Sequence, residues 1–305
     1  MLGRYKLAGL QVLRDLASAP LWALGNAQRG LALQKLAASM VSEIEGPGGT
    51  IRFVTPTPLL QARADSSLSK EPDTIEWIES FEPADIFWDV GANVGVFSLY
   101  AAMRRGVRVL AFEPFADNYM VLCKNIDINS LGDRIIPYCI ALAGNTELGL
   151  LNLASRDMGA ALHQFGRRGE TSRYWTGENS TFAQGMLGYA IDDFIRQFQP
   201  PFPNHLKLDV DGLESQILQG ARQMLRDPRL RSIMVELSLS DGTERDNAMA
   251  WLSDAGFELV RQGHTQVAGD LSAANHFFAR RQAASSFQTQ GAQSSASGNA
   301  QYFNA

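Results

Sequence analysis

Cysteine is nearly absent from this 305-residue chain: only Cys123 and Cys139 occur, in stretches that read as a helix and a strand. They offer no disulfide framework and no CxxC metal spacing. Both are expected as small core hydrophobes, in a reducing compartment. Histidine is also scarce. His163, His205, His264 and His276 are scattered without HxH or HxxxH spacing, so zinc has no ligand set here and no metal site is assigned. No apolar run approaches the ~20 residues of a membrane-spanning helix. The apolar N-terminal stretch is broken by Gly9, Gln11, Arg14 and Asp15 before a signal-peptide core forms. A cytoplasmic protein is expected. A basic surplus is missing too: 27 Lys and Arg face 32 Asp and Glu, a net charge of −5, which argues against a nucleic-acid partner. The sequence says nothing about oligomeric state.

What is present is an ordinary globular composition, 45% hydrophobic, arranged in three stretches. Residues 1–45 read as a helical extension: Leu7, Leu10, Leu13 and Leu16, then Leu21 and Leu24, recur at helical spacing on either side of Pro20. These helices are expected to pack on the main domain or a partner. Their sparse cations make peripheral membrane association the weaker alternative. Residues 46–281 form the main domain. After a turn at Gly46–Gly49, a strand at Ile51–Val54 and a helix at Glu71–Phe81, strands begin to alternate with helices. Strands are expected at Ile86–Val90, Val107–Phe112, Ile135–Ile140, His205–Val210 and Ser232–Leu237, with Phe257–Arg261 and His276–Ala279 as a closing pair. This is the pattern of a Rossmann-like α/β sheet. Residues 154–189, rich in Gly, Ser, Thr and Arg without a period, read as an insertion loop or lid. Residues 282–305 have too few apolar side chains to offset chain entropy and read as a disordered tail.

Three clusters carry chemistry. In Asp89-Val90-Gly91-Ala92-Asn93-Val94-Gly95, glycines sit where a strand meets its helix, which allows close backbone approach to a nucleotide-like ligand. Asp89 places a carboxylate where a pyrophosphate would be repelled, and where the cationic end of S-adenosylmethionine would be welcome. Glu113, in Ala111-Phe112-Glu113-Pro114, ends the next strand and can accept hydrogen bonds from ribose hydroxyls. The third cluster is His205-Leu206-Lys207-Leu208-Asp209-Val210-Asp211-Gly212-Leu213-Glu214. Ionisable groups ending a buried parallel strand are costly unless paired or used. Lys207 with Asp209 can be a structural pair, and Glu214 a helix-start residue. The same glycine loop also admits an NAD(P)-dependent oxidoreductase, although its GxNxG spacing departs from GxGxxG. A non-catalytic binding scaffold is a third reading.

Taken together, these motifs resemble the FkbM family of S-adenosylmethionine-dependent methyltransferases over about residues 70–280, including Ala190-Ile191-Asp192-Asp193-Phe194, Gly220-Ala221 and Val235-Glu236. The resemblance implies a Rossmann-like class I methyltransferase fold, with a mostly parallel seven-stranded sheet and helices on both faces. It also implies S-adenosylmethionine as methyl donor and commonly a hydroxyl of a sugar, glycan or polyketide-type small molecule as acceptor. Asp211 stands where the family usually carries Glu in its Asp-Val-Glu-Gly turn. On this reading Asp89, Gly91, Asn93, Gly95 and Glu113 hold the donor. Asp209 or Asp211 takes the hydroxyl proton, with Lys207 beside them. The same acids with Glu214 could meet Mg²⁺, without a commitment to metal. Asp192 and Asp193 are expected to cap the short helix they begin, and Glu236 either faces the acceptor or serves the structure.

Overall fold

The computed structural model describes residues 25–166, 182–240, 242–268 and 271–281. The expected helix before Pro20, the insertion's Arg167, Arg168 and Arg173, and the tail 282–305 lie outside the described residues. The first element among the described residues is α1 (Asn26–Ser39), which buries none of its residues. A hairpin follows, formed by β1 (Val41–Gly46) and β2 (Gly49–Val54) with Val41 opposite Val54. Its first strand falls in the stretch expected to be helical extension; the glycine-rich turn at 46–49 folds the chain back on it. Side chains from a later helix satisfy the free edge of β2: Val54 N donates to Asn125 Oδ1 at 2.8 Å and Arg52 N to Asn129 Oδ1 at 2.9 Å. Next come α2 (Pro58–Asp65), which the sequence reading passes over, and α3 (Pro72–Glu79). Thr57 caps α2 by accepting from Leu60 N, with Pro58 in the first turn.

The alternating part then runs β3 (Ile86–Val90), α4 (Val96–Arg105), β4 (Arg108–Phe112), α5 (Ala116–Ile128) and β5 (Ile135–Tyr138). Four strands follow with little helix between them: β6 (Ala141–Ala143), β7 (Glu147–Asn152), β8 (Gln164–Gly166) and β9 (Ala183–Ala190). The chain continues through α6 (Ile191–Phe198), β10 (His205–Leu208), α7 (Glu214–Gln219), α8 (Arg222–Arg226) and β11 (Ser232–Ser238). It closes with α9 (Gly242–Asp254), β12 (Phe257–Ala268) and β13 (Leu271–Arg280).

Seven strands form the main sheet in the order β12-β13-β11-β10-β3-β4-β5. Strands β11, β10, β3, β4 and β5 are mutually parallel, whereas β13 runs antiparallel to both its neighbours. Alternation along the strands gives the sheet two apolar faces. Trp88, Leu110, Leu206 and Ile233 pack with Phe194, Ile217, Met224 and Leu252 of α6 to α9. Phe87, Val109 and Met234 pack with Trp77, Leu99 and Leu122 of α3 to α5. Burial on both faces is why these strands read as continuous apolar runs.

The structure departs from expectation in two places that matter for the site. The helix expected over Glu214–Leu225 breaks into α7 and α8 at Gly220, where a Cβ would come within 2.8 Å of the Ala143 carbonyl oxygen. The segment read as lacking any period contains β8 and β9, which join β6 and β7 in a second sheet of order β6-β9-β7-β8.

Candidate active site

The chain runs outward from β3 through β4 to β5, then returns to build β10 on the other flank of β3. The helices that follow β3 and β10 pack on opposite faces of the sheet, so their connecting loops part and a crevice opens at the strand ends. A cavity of about 490 Å³ lies there, within the roughly 300–1,000 Å³ usual for small-molecule sites. Loops after β3, β4 and β10 line it through Gly91–Val94, Glu113, Pro114 and Asp209–Asp211, and Glu236 of β11 joins them. Ala160–His163 form another wall, and Arg63, Ser67, Lys70 and Glu71 a further one.

The β3 loop is built for close approach. Gly91 has φ of 81°, and a Cβ there would lie 1.8 Å from the Asp209 carbonyl oxygen, so no side chain fits. Asn93 adopts a left-handed backbone, φ 50°. Its amide N donates to Glu113 Oε2 at 2.8 Å, its Nδ2 donates to the Ala160 carbonyl at 2.9 Å, and its buried Oδ1 has no hydrogen-bond partner among the described residues. Gly95 ends the loop with its would-be Cβ 2.5 Å from Leu122 Cδ1. Glu113 Oε1 accepts from Phe115 N at 2.9 Å. Burial lifts this carboxyl to about 7 against those hydrogen bonds. The Asn118 side chain bonds the same carboxylate, which leaves one acceptor position beyond these three contacts, and the residue borders the cavity. An exposed glycine edge, an unpartnered amide oxygen and an acid at the next strand end suit a ligand carrying amino and ribose groups.

Asp89 is placed otherwise than the sequence suggested. It is fully buried and is not among the cavity-lining residues. Oδ2 accepts from Ser98 Oγ at 2.6 Å, while Oδ1 lies 3.8 Å from Lys207 Nζ. The reason is register: Asp89 pairs with Lys207 across β3 and β10, so both side chains leave the same face side by side. Burial raises the Asp89 carboxyl despite the ammonium.

Lys207 is 1% exposed, donates to Asp209 Oδ2 at 2.8 Å and lies 5.1 Å above the Phe97 ring. Burial alone would discharge it; Asp209 and Asp89 outweigh that and hold its proton more tightly than usual. Burial also works against the Asp209 carboxylate, and Lys207 again prevails, keeping it below its ordinary range. Leu208 pairs with Val235, so the next residues on each strand, Asp209 and Glu236, meet and share a hydrogen bond. The Asp209 charge, with burial behind it, pushes the Glu236 carboxyl upward, and Glu236 keeps the proton. Asp211 turns with φ of 63° and accepts from Leu162 N through Oδ2 at 2.6 Å. Burial and the neighbouring Asp209 lift it to about 6.

Other candidates fall away from the cavity. Glu214 Oε1 accepts from Val210 N and Gly212 N and so braces the turn after β10. Asp192 accepts from Gln223 N and Met224 N, capping α8 instead of its own helix; the break at Gly220 creates that helix end. Asp193 accepts from Thr146 Oγ1 and pairs with Arg196. His205 lies buried at the opposite end of β10 between Asp85 and Ser232. Among the described residues, no group of three or more His, Cys, Asp or Glu is arranged to hold a metal ion. Conversely, Arg63, Ser67, Lys70, Glu71 and His163 border the cavity without having been singled out in the sequence. His163 borders the cavity beside Phe115, and burial lowers it to about 4.

The family model described as the Methyltransferase FkbM domain matches residues 89–259. The hexuronic acid methyltransferase AglP of Haloferax volcanii is 25% identical over 217 residues, covering 71% of this chain and 80% of that protein. The 31-O-demethyl-FK506 methyltransferase FkbM of Streptomyces tacrolimicus is 26% identical over 204 residues, 61% of this chain and 78% of that one. A solved precorrin-6y C5,15-methyltransferase from Geobacter metallireducens superposes with a TM-score of 0.40 at 10% identity, over 68% of this chain and 85% of that one. The family match takes in more than half of the chain and contains the Gly91 loop, Glu113, Lys207, Asp209 and Asp211; the protein belongs to the FkbM methyltransferases, enzymes that use S-adenosylmethionine.

Proposed function

We propose that the protein methylates a hydroxyl oxygen on a polyhydroxylated small molecule or glycan. Membership of the family sets the dinucleotide oxidoreductase aside. The names of two relatives, a hexuronic acid methyltransferase and a 31-O-demethyl-FK506 methyltransferase, support an oxygen acceptor and a sugar-like one in particular. The observation that carries the reading is that the glycine loop with Glu113 and three further carboxyl groups, those of Asp209, Asp211 and Glu236, border one cavity.

Gly91, Asn93 and Glu113 border the cavity and would hold the donor, whose sulfonium supplies an electrophilic methyl group, while Gly95, outside the lining, lets the helix after the loop pack on Leu122. The protein then has two tasks, alignment and proton removal. Asp211 is the better base of the two candidates. Its carboxyl lies near 6, close to an operating pH, and only Oδ2 is taken by Leu162 N. Asp209 is a weaker base because Lys207 stabilises its charge. On this assignment Lys207 and Asp89 are positioning residues, and Glu236 donates its proton's hydrogen bond to Asp209. Asp211 would take the proton of the acceptor hydroxyl as that oxygen gains the methyl group, the charge of the sulfonium being lost with the transfer. No described helix is long and apolar enough to cross a membrane, and an acceptor other than nucleic acid fits the net charge of −5.

The test is Asp211→Asn. Methyl transfer from labelled donor to a panel of sugars should fall at least a hundredfold, while calorimetry with the thioether product gives an unchanged Kd. Full activity in that variant removes Asp211 from the chemistry. Absence of heat with the product on the parent protein removes the enzymatic reading.

A further inference from the structure

One wall of the cavity comes from residues that precede the family-matched span: Arg63 near the end of α2, then Ser67, Lys70 and Glu71 on the turn into α3. Ser67 is 4% exposed, and its hydroxyl has no hydrogen-bond partner among the described residues. A buried polar group without a partner is uncommon, and the missing partner demands a reason. Because Ser67 borders the cavity, a ligand can supply that partner.

Glu71, 7% exposed, presents a half-used carboxylate on the same wall. Its Oε2 accepts from Asn275 Nδ2 at 2.9 Å and from Thr74 Oγ1 at 3.1 Å, which fixes the group in place. Its Oε1 accepts no hydrogen bond from the described residues and has the Lys70 ammonium 3.6 Å away. One fixed acceptor oxygen and one idle hydroxyl, four residues apart in sequence on the same cavity wall, are the groups that would bond hydroxyls of a ligand.

We propose that Ser67 and Glu71 form the acceptor-recognition subsite, with Glu71 Oε1 accepting from one ring hydroxyl while Ser67 Oγ bonds the next. This rests on the methyl-transfer reading above and adds the residues that choose the acceptor. The wall also rejects the wrong molecule. A hydrocarbon surface in this place would leave both buried groups unpaired, a penalty that discriminates far more strongly than a missing methylene does.

The test uses the full chain saturated with S-adenosylhomocysteine, titrated with methyl glucoside, glucuronate and, as the single-hydroxyl comparison, cyclohexanol. The two sugars should bind and cyclohexanol should not. Ser67→Ala should weaken sugar binding about three- to tenfold, one neutral hydrogen bond, and Glu71→Gln roughly ten- to a hundredfold, a charged one. Both should leave the affinity for S-adenosylhomocysteine within about twofold and raise KM for the methylated sugar more than they lower kcat. The proposal is overturned if neither sugar binds the loaded protein, if cyclohexanol binds as tightly as the sugars, or if both variants bind like the parent. If S-adenosylhomocysteine itself fails to bind, the methyl-transfer reading falls, and this proposal falls with it.

Discussion

Replacing Lys207 by Met tests whether this cation is part of the frame of the site. The ammonium lies 2.8 Å from Asp209 Oδ2 and 3.8 Å from Asp89 Oδ1. With an effective dielectric constant of about 20, these separations correspond to attractions of about 6 and about 4 kcal/mol. Most of that offsets the cost of burying three charges, so the net gain is small. Removing one partner is different, because two acids are then left without their cation. Such a break typically costs about 3–5 kcal/mol, or about 6–20 °C in Tm for a domain of this size. The loss should depend on pH with a fixed sign. Asp209, for all its burial, is held below its ordinary range by Lys207. Its contribution is therefore present above the ordinary carboxylate pKa and is lost as pH falls through the folded value. In the variant both acids would instead hold protons, so the gap in Tm between parent and variant should be widest near pH 8 and narrow toward pH 4. Urea unfolding and thermal melts across that range measure it. A variant as stable as the parent at pH 8, or a gap that does not change with pH, would refute the charge argument and leave only a packing defect.

Other predictions concern the donor loop and titration. Gly91→Ala puts a Cβ against the Asp209 carbonyl at a left-handed φ, a conformation that costs L-residues roughly 1–2 kcal/mol before any clash. Affinity for S-adenosylhomocysteine should fall more than tenfold by calorimetry, and an unchanged Kd would show that the loop is no cradle. Burial lifts Glu214 to about 8 and Glu113 to about 7. The folded chain thus binds these protons more tightly than the unfolded one, and the stability they contribute is complete at low pH and lost as pH rises through 7 to 8. Tm of the ligand-free protein should decline from pH 6.5 to 9, beyond the range where the depressed His163 and His205 act in the opposite sense; Glu214→Gln should flatten that decline. With Asp211 as base, kcat/KM should rise through about pH 6, and a flat profile across pH 5–7 would exclude it.

How much of this was legible in the sequence depends on whether the signal is local. Strands β3, β4, β10 and β11 are buried on both faces, so each shows as an apolar run, and Gly91, Gly95 and Glu113 follow at the strand ends where a ligand loop needs them. The direction of Asp89 was not legible. It depends on facing Lys207 in the neighbouring strand, and pairing register between strands more than a hundred residues apart leaves no trace in either one. Strand β9 was missed for a different reason. Its glycines fall in a stretch that shows no period, but a Cβ at Gly188 would stand 2.4 Å from the Phe165 ring, so that glycine makes room for a side chain of β8. Likewise Ser67 and Glu71 sit in a polar turn whose local pattern is that of any helix start; only the fold brings them to the cavity.

The 158–163 segment shows why the site cannot be reduced to the strand ends alone. Gly159 N donates to Asn118 Oδ1 at 2.7 Å, and the Ala160 carbonyl accepts from both Asn93 and Asn118. Leu162 N donates to Asp211, and the Gly159 carbonyl accepts from Arg63. One short stretch is thereby tied to the donor loop, to helix α5, to the proposed base and to the helix that begins the acceptor wall. Methyl transfer requires its reacting atoms about 3–3.5 Å apart and in line, and a misplacement of 1 Å costs orders of magnitude in rate. The strand ends supply the donor loop and the acids, but the distance between those groups and the α2–α3 wall is set by what spans them. The loop between β7 and β8, hydrogen-bonded to both sides, would set that distance. On the proposed assignment, alignment of acceptor to donor would depend most directly on this stretch of irregular sequence.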